Sequence, residues 1–257
     1  MEKFIEKAKK KIPSVDFIIN ETWNKLNFQP SYVENSFGEI LIKFDFTATE
    51  IFKRYEKEAL IELATLWLNS QKREIKNRLK EILSKKGWDE FIEEASKLFA
   101  EFGSLVQELE KDLGNMRKAR GGKTFEKVIF KMLQFINIKC EIPTGKEKEK
   151  LGRIDVVIPS AEVAIKTPDR AIFLTCKRTL RERWKQEIPQ AKLNQRIYLL
   201  TIDEELSLEK ANEIKEKGLI AFVRDEILQR PEFFEITWIR KLKDLPKELK
   251  AYERFML

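Results

Sequence analysis

The chain has 257 residues, enough for one large domain or two modest ones with a proper hydrophobic core. It carries 50 Lys and Arg against 43 Asp and Glu, and the resulting charge of +7 suits a polyanionic partner without requiring one. The sequence contains no histidine. This excludes Ser-His-Asp and Cys-His catalysis, zinc sites built on histidine and nucleases with a histidine base, so any hydrolysis must use carboxylates, lysine, a metal ion or bound water.

The first 116 residues are predicted to be mainly helical. Residues 48–87 and 88–116 carry apolar side chains at three- and four-residue spacing, and Gly87 is a plausible stop between them. Residues 36–46, SFGEILIKFDF, alternate instead and predict a short strand or hairpin piece. We interpret this region as a scaffold or dimerisation surface, with DNA contact from one or two loops as the alternative.

A domain boundary is predicted near residue 117, which gives regions at 1–116 and 117–257. The basic segment at 117–123, RKARGGK, has adjacent glycines and is expected to form a loop. Thr124 is a candidate N-cap for an amphipathic helix at 124–136. Strand-like and helical segments then alternate, with strands expected at 138–144, 153–160, 171–177, 196–203 and 219–227. This order predicts an α/β (α+β) core with a central mixed sheet flanked by helices.

The location and the redox state follow from simple patterns. No apolar run approaches the roughly 20 residues of a membrane span, and the N-terminus lacks a signal-peptide core, so we expect a cytoplasmic protein without a membrane partner. Cys140 and Cys176 both lie in apolar, strand-like segments. Reduced core cysteines are therefore favoured over a disulfide.

An acidic and a basic residue stand in two successive apolar runs. Asp155 lies within RIDVVIP, and Lys177 closes AIFLTCK after 177 − 155 = 22 residues. If the runs pair as neighbouring strands, both side chains reach one end of the sheet. Carboxylates hold Mg²⁺, which lowers the pKa of bound water, while a lysine orients that water or stabilises developing charge. The pair fits phosphodiester hydrolysis; two strand ends without chemistry are the alternative.

Three charged residues follow the lysine by about one helical turn: Arg181, Glu182 and Arg183. Arginine donates bidentate hydrogen bonds to guanine O6 and N7 in the major groove, and glutamate accepts from cytosine N4. The cluster therefore predicts reading of adjacent G·C pairs beside the catalytic lysine. A solvated helix face is the alternative, since 36% of the chain is charged.

The segment from Asp155 through Lys177 to TLRERWKQ resembles the active-site and recognition segment of type II restriction endonucleases of the PD-(D/E)XK class. It is similar to the group of PspGI and the EcoRII C-terminal catalytic domain, over about residues 117–225, and Trp184 also matches in type and spacing. The resemblance implies a restriction-endonuclease-like core, Mg²⁺ as cofactor, metal binding by Asp155 and catalysis by Lys177. It also implies that CC:GG pairs are read by Arg181, Glu182 and Arg183.

The chain departs from the group at the second acid. Thr175 stands where the short E-x-K form has glutamate, and the group's alternative acid, thirteen residues past the lysine, corresponds to Gln190. A glutamine oxygen still ligates a metal or holds its water, so Gln190 is expected at this catalytic and metal-binding position. Glu187 is the alternative metal ligand, and Pro189 leaves the local geometry open.

Residues upstream of Asp155 complete the candidate site. Many enzymes of this class place an accessory acid on the preceding helix, which makes Glu126 a candidate for orienting water or lysine; an ordinary surface glutamate is the alternative. Arg117, Arg120 and Lys123 flank adjacent glycines and suit DNA phosphate or groove contact, because glycine lets a backbone approach closely. A flexible basic linker is the alternative there.

These residues support three functional hypotheses. The first is a homodimeric, Mg²⁺-dependent, site-specific endonuclease for double-stranded DNA, with no small-molecule cofactor beyond the metal. Its two-fold symmetry would meet a palindromic site such as CCNGG or CCWGG, and CCGG-core sites stay open. The second is a catalytically weakened DNA-binding protein of the same fold, which Gln190 favours. The third is a repair or transposon nuclease.

Overall fold

A computed structural model describes residues 2–85, 87–181, 184–192 and 194–256. The chain divides into two compact units, each built from two stretches. The first unit comprises Met1–Ile18 and Ala48–Arg120, and the second comprises Ile19–Thr47 and Gly121–Leu257. Residues 19–47, which fall in the predicted N-terminal region, are thus part of the second unit. Within the described ranges, no helix is long and apolar enough to cross a membrane.

Helices dominate the first 135 residues, as the apolar spacing predicts. In chain order they are α1 (Glu2–Lys9), α2 (Val15–Leu26), α3 (Pro30–Asn35), α4 (Phe37–Ser70), α5 (Lys72–Lys85) and α6 (Trp88–Phe135). The core of the first unit includes apolar residues at four-residue spacing on two helices: Ala59, Leu63 and Trp67 of α4, and Leu105, Leu109 and Leu113 of α6. Burying one such leucine contributes about 2 kcal/mol.

The strand or hairpin predicted at residues 36–46 is wrong, because this stretch is the first part of α4. Phe37, Ile40, Leu41 and Phe44 are all buried, and their spacing fits one helix face as well as it fits alternation. Gly38 permits close packing here, since a Cβ on this residue would lie 2.9 Å from Leu242 Cβ. Longer-range packing thus decides a pattern that the local sequence leaves ambiguous.

The loop predicted at residues 117–123 and the N-cap predicted at Thr124 are also wrong, because α6 runs through both without interruption. Each glycine in a helix interior costs roughly 1 kcal/mol relative to alanine. The flanking turns offset that cost by burying Leu113, Phe125 and Ile129. Arg117, Arg120 and Lys123 are therefore helical residues.

The second unit contains a five-stranded sheet in the order β1 (Val156–Ile158), β2 (Ile172–Cys176), β3 (Arg196–Leu200), β4 (Ile220–Val223) and β5 (Ile239–Lys241). β1 is antiparallel to β2 with Val156 opposite Leu174, and the later neighbours are parallel. The mixed sheet is therefore confirmed. Its flanking helices are α7 (Gly145–Leu151), α8 (Ala161–Lys166), α9 (Trp184–Glu187), α10 (Leu208–Glu216) and α11 (Leu245–Met256).

Several predicted strands of this unit are shorter than expected or differ in kind. The segment at 138–144 forms only an isolated bridge from Glu141 to Val157, and the charged residues after it form helix α7. Residues 233–245 contain β5 between short 3-10 turns. Gly218, with φ of 70°, lies just after α10. Cys140 is partly buried and Cys176 is buried, and both are free cysteines.

Candidate active site

Asp155 immediately precedes β1, at the end of the sheet. Its amide donates to the Leu174 carbonyl at 2.9 Å, which extends the antiparallel pairing of β1 with β2. Its Oδ2 accepts a hydrogen bond from the Cys176 amide at 2.8 Å, and the residue is only 8% exposed. The neighbouring strands therefore bring Asp155 beside the chain that leads into Lys177, as the two apolar runs predict.

Lys177 directly follows β2, and its backbone stays attached to the sheet. The Lys177 amide donates to the Leu200 carbonyl of β3 at 2.9 Å. The side chain is 23% exposed, and its Nζ lies 3.3 Å from Oε2 of Glu187. The ammonium group therefore lies at the end of the sheet, on a side chain that is largely shielded from solvent.

Glu126 lies on α6 and interacts electrostatically with both residues. Burial raises the pKa of its carboxyl to about 6, and the charge of Asp155 adds to this rise. Lys148, Lys177 and Lys123 oppose it, with smaller effects. Two carboxylates and two or more ammonium groups therefore share one partly dry region, an arrangement that is common where a protein performs acid–base or metal chemistry.

Lys148 belongs to this cluster although the sequence analysis did not single it out. It lies on α7, with its Nζ 3.5 Å from Oδ1 of Asp155, and it also donates to the Ile154 carbonyl. In the sequence it is one of three lysines in GKEKEKLGR, and nothing in that run distinguishes it. Only the seven-residue helix α7, which precedes β1, brings it to the carboxylate.

The two candidates for the second acid have different environments. Glu187, the last residue of α9, contacts Lys177 as described. The side-chain amide of Gln190 instead donates to the Glu216 carbonyl at 3.2 Å. The backbone amide of Ala191 donates to the Lys217 carbonyl at 2.9 Å. Residues 190 and 191 are thus attached to the end of α10, while Glu187 contacts Lys177.

The sequence profile of a family described as EcoRII C terminal matches residues 81–239, more than half of the chain. The chain belongs to this family. It is therefore a type II restriction endonuclease of the PD-(D/E)XK class by family, a nuclease, which confirms the resemblance carried by its catalytic segment. No curated protein matches the chain closely enough to count as a relative.

Solved structures agree with the family. Metal-depleted Ecl18kI in complex with uncleaved, modified DNA superposes with a TM-score of 0.77 at 18% identity, over 98% of this chain and 83% of that one. The complex of restriction endonuclease PspGI with substrate DNA gives 0.65 at 22% identity, over 96% of each chain. At such identities the likeness concerns the fold alone, and it confirms the restriction-endonuclease-like core.

The expected DNA-reading segment of this EcoRII C-terminal family member lies between β2 and α9. Arg181 is exposed, and its carbonyl accepts from the Trp184 amide at 3.1 Å. Trp184 is buried in the core of the second unit, so it anchors the segment from its C-terminal side. Glu182 and Arg183 lie outside the described residues.

The donors of the cluster suit a hard divalent cation. Mg²⁺ is usually bound by one or two carboxylates together with water and substrate phosphate oxygens. Asp155 and Glu126 offer two carboxylates. The charge of Asp155 helps to raise the pKa of Glu126, and a bound cation nearby would offset that repulsion. Among the described residues, no group of three or more His, Cys, Asp and Glu is close enough to form a complete protein cage for a metal.

The basic residues of α6 have intramolecular contacts of their own. Within the first unit, Arg117 pairs with Glu56 at 2.8 Å and with Glu110. Arg120 donates to the Pro13 carbonyl, and burial lowers its pKa. Lys123, in the second unit, is exposed one turn before Glu126 and acts on its charge. Their contact with DNA stays a prediction.

Proposed function

We propose that the chain is a Mg²⁺-dependent endonuclease that cuts both strands of DNA at a short palindromic site containing CC:GG pairs, such as CCNGG or CCWGG. The observation that carries this proposal is the meeting of Asp155 and Lys177 at one end of the sheet, within the electrostatic reach of Glu126. Membership of the EcoRII C-terminal family supports it.

In the proposed reaction, a water molecule loses a proton and its oxygen attacks the phosphorus of the scissile bond. One bridging P–O bond breaks, and the leaving oxygen takes up a proton, which gives a phosphate monoester and a free hydroxyl. Asp155 and Glu126 would hold Mg²⁺, which would polarise the phosphate and lower the pKa of a bound water, and the Cys176 amide fixes the orientation of Asp155. Lys177 stabilises the charge that develops on the phosphate, and Glu187 orients its ammonium group.

The second acid is the point at which our proposal departs from the family spacing. We assign the position to Glu187 because it contacts the catalytic lysine. Gln190 donates to the end of α10, which is a structural contact. An acid at Glu187 keeps the negative charge that a glutamine at position 190 would not provide, so Gln190 does not imply that the enzyme has lost activity.

We assign sequence reading to Arg181, Glu182 and Arg183. The exposure of Arg181 supports this assignment, because a guanidinium group must leave the protein surface to reach base edges. We further propose a homodimer acting on cytoplasmic DNA. Two identical subunits related by a two-fold axis match a palindrome, and each would cut one strand. The solved relatives contain DNA, which is consistent with a duplex as the partner.

The test is cleavage of a DNA of known sequence with Mg²⁺, with EDTA, and with the Lys177→Ala variant, followed by sequencing of the product ends. We expect discrete Mg²⁺-dependent fragments whose ends share a CC:GG element, and no fragments from the variant. Lys166→Ala is the matched control, since Lys166 is exposed on α8 and forms an ion pair with its helical neighbour Glu162.

The other outcomes separate the alternatives. Fragments that lack a CC:GG element would contradict the reading of Arg181, Glu182 and Arg183 but leave the catalytic proposal intact. Cuts at random positions or at junctions would indicate a repair or transposon nuclease. Folded protein that retards DNA but forms no product would indicate a DNA-binding protein that no longer cuts.

A further inference from the structure

The end of β3 contacts the segment that leads from the catalytic lysine to Arg181 at successive residues. The Leu200 carbonyl accepts from the Lys177 amide at 2.9 Å. The Thr201 hydroxyl donates to the Arg178 carbonyl at 3.4 Å. The Asp203 carboxylate accepts from the Leu180 amide through Oδ2. One short stretch of chain, from the last residue of β3 to Asp203, therefore holds residues 177, 178 and 180 in order.

Asp203 is the strongest of these contacts. It is 7% exposed, and both carboxylate oxygens accept backbone hydrogen bonds, since Oδ1 also accepts from the Glu205 amide at 3.0 Å. Its own amide donates to the Thr201 hydroxyl at 3.1 Å, which links it to the neighbouring contact. Hydrogen bonds to an ionised group are shorter and roughly twice as strong as neutral ones. A buried carboxylate with two such bonds fixes the backbone next to Arg181.

A second contact holds the same segment from its side chain. Arg178 forms a bidentate pair with Asp45 of α4, at 2.6 and 2.8 Å, within the second unit. The Arg178 side chain is 41% exposed, so water screens this pair. Asp203, which is buried and bonds the backbone itself, therefore has the larger share in setting the path of the chain.

We propose that Asp203 is a positioning residue for sequence discrimination: it fixes the backbone at Leu180 so that Arg181 stands at a set distance from Lys177. This inference rests on the proposed reading role of Arg181. A base pair is read correctly only if the arginine meets it while the lysine meets the scissile phosphate. Phosphate contacts set the register and base contacts carry the sequence information, so a loose connection between the two groups lowers discrimination before it lowers affinity.

The test compares Asp203→Asn with two other variants, all as full-length protein. Asparagine has one acceptor oxygen where aspartate has two, so one of the two backbone amides loses its acceptor. The matched control is Asp225→Asn. Asp225 lies just after β4 much as Asp203 lies just after β3, but it forms an ion pair with Lys243, at 3.4 Å. Arg181→Ala shows what loss of reading looks like.

The quantity to measure is the ratio of single-turnover cleavage rates on two duplexes with Mg²⁺. One duplex carries the site defined by the product ends, and the other has a single outer G·C pair replaced by A·T. We expect Asp203→Asn and Arg181→Ala to lower this ratio by roughly tenfold to a hundredfold, the discrimination that one base contact provides. Asp225→Asn is expected to keep the wild-type ratio. A purely structural role of Asp203 would lower both rates alike and leave the ratio unchanged.

Two results with Asp203→Asn and Arg181→Ala would overturn the inference, and they have different consequences for the proposed function. If Arg181→Ala lowers the ratio and Asp203→Asn does not, Asp203 has no positioning role and the proposed function stands. If neither variant changes the ratio, the reading role of Arg181 fails as well. Should Asp203→Asn not fold, Thr201→Val replaces it. This variant keeps the shape of a fully buried side chain while removing the hydroxyl between Arg178 and Asp203, and an unchanged ratio there also overturns the inference.

Discussion

The two compact units use charged residues in different ways. In the first unit the described charges mostly neutralise each other along and between helices, as in Lys97 with Glu93 and Glu94, or Arg117 with Glu56 and Glu110. Burial raises the pKa of Glu56, but the guanidinium of Arg117 opposes that rise. Ion pairs of this kind at a protein surface contribute little individually to stability.

In the second unit, several charged residues lie partly buried at strand ends and near one another. Asp155 precedes β1, Lys177 follows β2, and Glu126 faces both from α6 with a pKa raised to about 6. The effect of burial on the pKa of Glu126 is opposed only in part, by the charges of three lysines. We therefore expect function where charges are partly buried, mixed in sign and carried by different elements, and not at the ion pairs along the helices.

The largest expected effect comes from neutralising Glu187, the acid beside Lys177. Glu187→Gln removes the charge 3.3 Å from Lys177 Nζ without changing the shape of the side chain. We expect the single-turnover rate at saturating Mg²⁺ to fall about a hundredfold, the usual range for losing one group that positions or activates a reactant. The measurement is a quenched-flow cleavage assay on a duplex that carries the site.

Gln190→Glu is the matched variant for that experiment, since it restores the acid at the position of the family spacing. We expect less than a threefold change in rate, because the Gln190 side chain is bound to the end of α10. A large gain from Gln190→Glu together with a neutral Glu187→Gln would reverse the assignment of the second acid.

How far the sequence predicts this site depends on whether local pattern or tertiary packing decides each residue. The apolar runs around Asp155 and Lys177 are buried strands in the structure, and strands of one sheet meet at its ends, so their pairing was predictable. Lys148 was not, because it reaches Asp155 only through the packing of α7. The choice between Glu187 and Gln190 was open, since Pro189 interrupts the helical register between them.

The fold shows the same limit. α4 begins in a stretch whose apolar residues fit both the strand and the helix period, and contacts such as that of Gly38 with Leu242 decide the outcome. α6 passes through Gly121 and Gly122 because the turns on either side are anchored in cores. Propensity is a weak prior at such positions, and buried area outweighs it.

A smaller effect is expected when the ammonium group of Lys148 is removed from the cluster. Lys148 lowers the pKa of Glu126, so Lys148→Met should raise it further above its value of about 6. At the distance of a partly solvated pair, the titration midpoint should move up by about half a pH unit. The measurement is a ¹³C NMR titration of the Glu126 carboxyl in metal-free protein. Lys166→Met is the control, and a midpoint that stays in place in Lys148→Met would contradict the electrostatic cluster.

The raised pKa of Glu126 also predicts a change in stability with pH. A carboxyl whose pKa is higher in the folded state binds protons more tightly there, so its contribution to stability is lost as pH rises from about 4.5 through 6. Glu126→Gln should therefore raise the free energy of unfolding at pH 7.5 by about 1 kcal/mol, after allowance for solvent screening, with little effect at pH 4. Urea unfolding at both pH values measures this.

The matched control for that prediction is Glu162→Gln. In the wild-type protein the exposed Glu162 carboxyl has a pKa that is lowered by Lys166. Its contribution has the opposite sign, so this variant should not stabilise the protein at pH 7.5. An equal gain in both variants would mean that the effect of Glu126→Gln comes from general surface charge and not from the active-site cluster.

The smallest effect should separate the basic residues of α6 by unit. Lys123, which is exposed, is expected to contact a DNA phosphate, whereas the Arg117 guanidinium is already held by Glu56 and Glu110. Neutralising one phosphate contact reduces the slope of log Kd against log salt concentration by about 1. We expect this change for Lys123→Met and none for Arg117→Met, measured by fluorescence anisotropy with Ca²⁺ replacing Mg²⁺ to prevent cleavage. The opposite pattern would mean that Arg117 leaves Glu56 and Glu110 to bind a DNA phosphate. The ion pairs of the first unit would then contribute to DNA binding as well as to packing.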